Sequence, residues 1–409
     1  MSKPSYDAIV VGARCAGSPT AMMLARKGHR VLLLDKATFP SDTMSTHFVH
    51  PPGLASLERW GLLKRLEETG CPPVDTYSFD FGPLTISGSP QPIEGIAHGY
   101  CPRRTVLDKL LVDAAVEAGV ELREGFTVEE ILVSDGTVTG IRGHAKGDAE
   151  VTERARVVIG ADGKHSLVAK TVKPEQYNER PSHLAMYYAY WSGLPSKGFD
   201  TFIRAEDRRG WACLPTHDDL TVIPFGWPVE EFQTNRRDIE GNFLKAMELA
   251  PEFARRVRAA RRESKFIGSA ELPGYVRKPF GPGWALVGDA AYHKNPITAM
   301  GINDAFRDAE LLANALDDHF SRNRPYGQGM SDYQRTRDHD ALPVYDFTDD
   351  FAMLRPPPPE MQQLIGAMHG NQEAMDGFVS VQAATLQAPQ FFAPENVARI
   401  MAEANGTAT

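Results

Sequence analysis

The chain opens with a short apolar run, Ala8–Val11, that stops at Gly12. Branched residues filling consecutive positions suit a strand buried on both faces, as in a parallel sheet. From Gly17 a helical pattern runs through Arg26, and a second apolar run, Val31–Leu34, ends at Asp35. Strand, helix and strand in that order predict a βαβ unit at the start of the chain. The spacing next predicts a helix from about Pro52 to Glu68 and a strand over 76–82. An amphipathic helix over Arg103–Ala118 follows, with Val106, Leu107, Leu110, Leu111 and Ala114 on one side. Strands are expected at about 120–123, 127–133, 137–143 and 156–159. The pattern then turns aromatic. Leu184–Trp191, Phe199–Arg204, Trp211–Pro215 and Leu220–Phe225 read as strands of a different sheet. A charged helix is expected over about 236–261, a buried strand over Trp284–Asp289, and a helix from Gly301 to about Phe320. Pro356–Pro359 is a helix-breaking stop, with further helices expected beyond it.

The first βαβ unit carries a nucleotide-binding signal. Gly12 permits a tight turn, Gly17 lets helix and sheet approach closely, and the helix N-terminus offers free N–H groups to a pyrophosphate. Asp35, at the tip of the second strand, is placed to accept hydrogen bonds from a ribose, which favours FAD or NAD over NADP. The loop reads Gly12-Ala13-Arg14-Cys15-Ala16-Gly17, so Arg14 stands where the fingerprint has its middle glycine. An arginine is compatible with a pyrophosphate if its guanidinium turns towards the anion. We therefore expect that side chain along the cofactor's phosphates.

Composition narrows the class. At 409 residues and 42% hydrophobic, the chain can bury a large core. A net charge of −9 argues against a general nucleic-acid or anionic-membrane binder. The four cysteines (Cys15, Cys71, Cys101, Cys213) form no C-x-x-C pair, so neither a structural zinc nor a dithiol redox centre is expected. With no apolar run near membrane-spanning length and a fold that begins by residue 6, we expect a cytoplasmic protein without a signal peptide.

Two further motifs repeat one design, an apolar strand ending in Gly and Asp. They are Val157–Ile159 running into Gly160-Ala161-Asp162-Gly163, and Trp284–Val287 running into Gly288-Asp289. Open α/β sheets bind ligands at that edge. With Arg104 at the start of the amphipathic helix, these motifs resemble the class A flavoprotein monooxygenase superfamily, typified by para-hydroxybenzoate hydroxylase. Geranylgeranyl reductases and flavin-dependent halogenases share its architecture. The resemblance covers roughly residues 6–340. The family's loop Pro-x-x-Gly-Gln-Gly-x-Asn appears here as Pro296-Ile-Thr-Ala299-Met300-Gly301-Ile302-Asn303, with Ala299 and Met300 replacing Gly and Gln.

The resemblance implies an α/β fold: a Rossmann-like FAD-binding domain of the para-hydroxybenzoate hydroxylase type, an inserted aromatic-rich β-sheet substrate domain, and C-terminal helices. The FAD-binding domain would comprise 1–75, 100–175 and 275–341, the substrate domain 76–99 and 176–274, and the helical region 342–409. The cofactor-contacting set it implies comprises Gly12, Ala13, Arg14, Cys15, Ala16, Gly17, Asp35, Lys36, Thr46, His47, Arg104, Val128, Ala161, Asp162 and Gly163. Gly288, Asp289, Pro296, Ala299, Met300, Gly301, Ile302 and Asn303 complete it. Asp35 matches the ribose acid, Val128 the strand beside adenine, and Asp289 the carboxylate of the ribityl–pyrophosphate region.

The implied activity is NAD(P)H-dependent hydroxylation of a small aromatic or polyketide-like substrate through a flavin C4a-hydroperoxide. No second G-x-G-x-x-G occurs, so NADH or NADPH is expected to dock transiently; a separate flavin reductase is the other source of electrons. Flavin-dependent reduction of a prenyl-type double bond is the alternative, although the aromatic Tyr-x-Trp-x-Phe-Pro signature is missing. A halogenase would need Trp-x-Trp-x-x-Pro and a nearby lysine, whereas Trp211-Ala-Cys-Leu-Pro215 has one tryptophan and no such lysine. A non-catalytic flavoprotein is the last class. Candidate catalytic residues are His293, as proton donor or substrate anchor, and His47. On Leu184–Trp191, Met186, Tyr188 and Tyr190 share one face and are candidate substrate contacts. Arg204 is a candidate anchor for a carboxylate or phenolate. No metal-ligand cluster is apparent, and the chain is expected to act as a monomer or homodimer.

Overall fold

The structure, a computed structural model, describes residues 5–406. Its first sheet follows from the predicted βαβ unit. Tyr6–Val11 pairs in parallel with Val31–Leu34 on one side and Val151–Gly160 on the other. Trp284–Leu286 and Glu121–Arg123 extend the parallel array outward. Alternate residues of the first strand serve opposite layers. Ala8 and Val10 pack with the helices Gly17–Arg26, Arg104–Glu117 and Gly301–Phe320. Ile9 and Val11 pack on the other side beneath the hairpin Phe126–Ser134/Thr137–Ala145 and the short helix Leu167–Val172. Every strand of that parallel core delivers its C-terminal end to one edge, where Gly12, Asp35, Asp162 and Asp289 collect.

The second sheet is largely antiparallel. Its order is Arg261–Arg262, Leu184–Ser192, Thr221–Pro228, Arg209–Pro215, Phe199–Arg204, Tyr77–Asp80 and Thr85–Gly88. The alternation expected for Leu184–Trp191 is observed. Tyr187 and Trp191 enter an aromatic core with Phe225, Trp227 and Phe243. Tyr188 and Tyr190 face the opposite cluster, which the C-terminal helices cover. A small three-stranded sheet, Gln176–Arg180, Gly274–Arg277 and Tyr292–His293, carries His293.

Two expected elements and one expected boundary differ. The helix over 52–68 is two helices, Pro51–Arg59 and Leu63–Glu67, because Gly61 takes a positive φ of 73°. The charged helix over 236–261 is broken into Phe232–Asn235, Ile239–Met247 and Pro251–Ala259; Pro251 begins the last of these, where its missing N–H costs nothing. Conversely, Tyr326–Ala352 is one helix of 27 residues that passes through Pro343, so position 342 lies inside it. Its buried face (Met330, Tyr333, Arg337, Ala341, Tyr345) outweighs the lost backbone bond. All four cysteines are free and buried. Among the described residues no helix is long and apolar enough to cross a membrane, and no cluster could hold a metal ion.

Candidate functional site

The strand ends and the inner face of the second sheet enclose one cavity of about 930 Å³. That volume lies in the range of ligand and cofactor sites. Local backbone chemistry shapes its floor. Gly12 adopts φ +104°, and a Cβ at Gly17 would overlap the Gly12 carbonyl oxygen, so turn and helix start close only with glycine at both positions. The helix Gly17–Arg26 has no side-chain cap; Ser18 N–H donates to the Arg14 carbonyl at 3.0 Å and Pro19 has no N–H, so Gly17 offers the first-turn N–H left for an anion. The helix Gly301–Phe320 also starts uncapped, and Gly301 and Ile302 line the cavity.

Most of the expected cofactor set lines this space. Gly12, Arg14, Cys15 and Ala16 form one end, with Asp35, Lys36, Thr46, Arg104 and Val128 around it. Ala161, Asp162, Gly163, Gly288, Asp289 and Pro296 complete the lining from the other strand ends. Asp35 is already engaged, accepting from the Ala13 N–H at 2.8 Å and the Ala37 N–H at 2.8 Å, so it also holds the glycine loop in shape. Asp162 accepts from the Leu167 N–H at 2.6 Å, yet its Oδ1 is buried without a partner, and burial raises its pKa. The Asp289 side chain is exposed to the cavity, and among the described residues it has no hydrogen-bond partner. These features fit a bound FAD: a glycine cradle that any Cβ would fill, an uncapped helix start and an orphaned carboxylate oxygen. Asp35 and Asp289 are the acids available to sugar and ribityl hydroxyls.

Other members of the set stand behind the lining. Ala13 and Gly17 shape the turn. Asn303 points away, accepting from the His50 N–H at 3.1 Å, and Met300, just before the helix start, is buried in the core. Ala299, at φ +55°, lines a neighbouring apolar slot instead.

Arg14 departs from expectation. Its guanidinium is not free to lie along a phosphate: it donates to Asp108 Oδ2 at 2.5 Å and to Ser41 Oγ at 2.8 Å. Asp108 is fully buried and also accepts from Arg104 Nε at 3.0 Å and Nη2 at 2.8 Å. One carboxylate thus ties two arginines together at the end of the cavity. Asp108 lies four residues from Arg104 on the same helix, so that pair was visible in the spacing; its reach to Arg14 was not.

Arg204 is a second correction. It pairs with Asp80 at 2.9 Å, donates to the Leu249 and Asp80 carbonyls and lies over Trp211, away from the cavity. It crosslinks the second sheet rather than facing a substrate. His47 is also withdrawn from the cavity. It is fully buried at φ +65°, hydrogen-bonded through Nε2 to the Tyr190 hydroxyl at 2.8 Å. Burial, reinforced by Arg104 and Arg103, lowers its pKa to about 3, so it stays neutral at ordinary pH. Tyr190 does not reach the cavity, whereas Met186 and Tyr188 line it.

His293 lines the cavity and is held by a 2.5 Å hydrogen bond from Nδ1–H to the Pro273 carbonyl and by stacking on Tyr275. A carbonyl can only accept, so Nδ1 carries a proton and Nε2 is the ring nitrogen left for a ligand. Sequence reasoning missed Lys294. It is buried against the cavity, paired with Asp304, and 3.1 Å from the Tyr292 hydroxyl. Burial lowers its pKa while Asp304 opposes that shift. The ion pair pins the loop before Pro296 to the first turn of the helix Gly301–Phe320.

A model of the FAD binding domain family matches residues 5–348. Digeranylgeranylglycerophospholipid reductase 1 of Methanopyrus kandleri is 30% identical over 318 residues, covering 73% of this chain and 77% of that protein. The phenazine 1,6-dicarboxylic acid hydroxylase PhzS of Lysobacter antibioticus is 27% identical over 350 residues, covering 76% and 83%. The structure of the myxobacterial chondrochloren halogenase CndH, an FAD-dependent halogenase, superimposes with a TM-score of 0.79 at 20% identity over 98% and 97% of the two chains. That likeness is one of fold.

Proposed function

The chain belongs to the FAD binding domain family and is an FAD-dependent enzyme; on that premise we propose that it is a NAD(P)H-dependent monooxygenase acting on a small aromatic or polyketide-like substrate. The observation carrying this reading is the shared cavity. The strand ends that carry Gly12, Asp35, Asp162 and Asp289, the Nε2 side of His293, and the inner face of the second sheet open into the same space. FAD, when bound, supplies hydride acceptance and dioxygen activation.

The protein's part is position and electrostatics. The N–H groups at the start of Gly301–Phe320, which line the cavity, would hold the negative charge of a reduced flavin, and the helix dipole would add to them. His293 Nε2 accepts a hydrogen bond or a proton from a substrate hydroxyl. Met186, Tyr188, Pro224 and Leu272 wall the space opposite the strand ends and exclude water from it. A transient nicotinamide is the proposed reductant because the chain carries one nucleotide-binding loop. The test is dioxygen uptake by the purified holoenzyme with NADH or NADPH, against a panel of phenols. Substrate-dependent uptake supports the reading. Flavin reduction without it favours the second reading, reduction of a prenyl-type double bond, which the apolar slot beside the cavity and the reductase relative favour.

A further inference from the structure

Beside the cofactor cavity lies a narrow slot of about 50 Å³ between the second sheet and the end of the helix Tyr326–Ala352. Thr46, Met186, Pro224 and Pro296 border both spaces, so the slot opens onto the cavity. None of its lining side chains is charged, and only Thr46 and Thr201 bring hydroxyls. Its floor is unusual for a sheet interior. Gly210 and Gly226 sit directly opposite each other on neighbouring strands, and Met186 flanks Gly226 on the other side. Glycine weakens a strand, and its use there marks close approach by another group. At present those groups are side chains: a Cβ at Gly210 would come within 3.2 Å of Leu354 Cδ2, and one at Gly226 within 3.2 Å of Met186 Cγ. Leu354 holds this position at φ +48°, a conformation leucine rarely adopts. Two residues along the strand from Met186, on the same face, Tyr188 lines the cavity with its hydroxyl buried and unpartnered.

We infer that this slot receives the uncharged hydrocarbon end of the substrate, an aryl ring or a prenyl-type chain. Leu354 yields the space over the glycine pair, and Tyr188 hydrogen-bonds one substrate oxygen at the mouth. An ionised carboxylate is disfavoured, because no cation lines the slot to replace its water and the side-chain donors there are two threonine hydroxyls and the Trp211 Nε1–H. This rests on the reading that the adjoining cavity holds FAD and names the substrate class for it.

The test titrates the holoenzyme with 2-naphthol, farnesol and 2-naphthoate, following the absorption of bound flavin, and repeats the titration on apoprotein by thermal shift. Either neutral ligand binding at least about ten-fold tighter than 2-naphthoate supports the slot; the tighter of the two identifies the class. Gly226→Val should weaken that ligand about ten-fold or more and Leu354→Ala should tighten it, both with FAD content unchanged. Tyr188→Phe should weaken 2-naphthol but not naphthalene. Equal binding of 2-naphthoate, no binding of either neutral ligand, or indifference to both slot substitutions overturns the inference. A protein that takes up no FAD but still shows the selective thermal shift would defeat the flavin reading and leave the slot standing.

Discussion

Asp108 is the residue whose loss should report most sharply on the end of the cavity. It is fully buried and accepts from the guanidinium groups of Arg14 and Arg104. Asp108→Asn keeps the volume, removes the charge and points an NH₂ group at donors. Removing one partner of a buried ion pair costs about 3–5 kcal/mol, since the remaining charge stays desolvated. With about 2.1 cal/mol/K of unfolding entropy per residue over 409 residues, that becomes a drop of roughly 4–6 °C in melting temperature. FAD should offset part of the loss. Its pyrophosphate brings negative charge to a site where two arginines have lost their carboxylate, so the ligand-induced rise in Tm should be larger in the variant than in the parent. The assay is thermal unfolding of apoprotein with and without saturating FAD. An apo Tm within about 1 °C of the parent would refute the argument that one carboxylate holds both arginines. An FAD-induced rise equal to the parent's would show that the arginines do not sense the phosphates.

Three other outcomes follow from the same geometry. Asp289→Ala should weaken FAD at least about ten-fold while changing apoprotein stability by less than about 0.5 kcal/mol, because its carboxylate has no protein partner; fluorescence titration and urea unfolding would expose the opposite pattern. Gly17→Val should cost FAD affinity by about 100-fold or more, roughly 3 kcal/mol, since its Cβ would meet the Gly12 carbonyl; normal flavin content in that variant would contradict the cradle. His47 and His50 both have pKa values lowered to about 3 by burial, against 6.5. Between those values the unfolded chain binds protons that the folded one does not. Stability should therefore fall as pH drops below 6.5, by about 1.4 kcal/mol per pH unit for each histidine. Urea unfolding at several pH values would check it; His47→Gln should remove one histidine's share of the slope, and an unchanged slope would count against burial of a neutral ring.

What could be read from the chain was whatever neighbours in sequence decide. Val31–Leu34 and Ala8–Val11 are apolar enough to be buried strands, and glycine punctuates their ends. Gly301–Phe320 was legible at both ends because its apolar stripe is regular and glycine starts it. The failures lie where distant residues decide. Arg14 looks like a phosphate ligand until Asp108 arrives from a helix 94 residues away. Arg204 looks like an anchor until Asp80 is placed beside it by a parallel pairing of strands far apart in sequence. The boundary drawn between 341 and 342 falls inside a helix, Tyr326–Ala352, that tertiary packing carries through Pro343. Lys294 has no local signal, since its partner Asp304 sits beyond a loop and a helix start.

In the proposed monooxygenase reaction the cavity brings FAD, dioxygen and a substrate together. The most direct measurement is mass spectrometry of the product formed by FAD-loaded enzyme with NADH or NADPH under isotopically labelled dioxygen. The proposed reaction places one labelled oxygen atom in the product for each nicotinamide oxidised. A product that gains hydrogen without labelled oxygen, or a purified protein that holds no FAD, would contradict it.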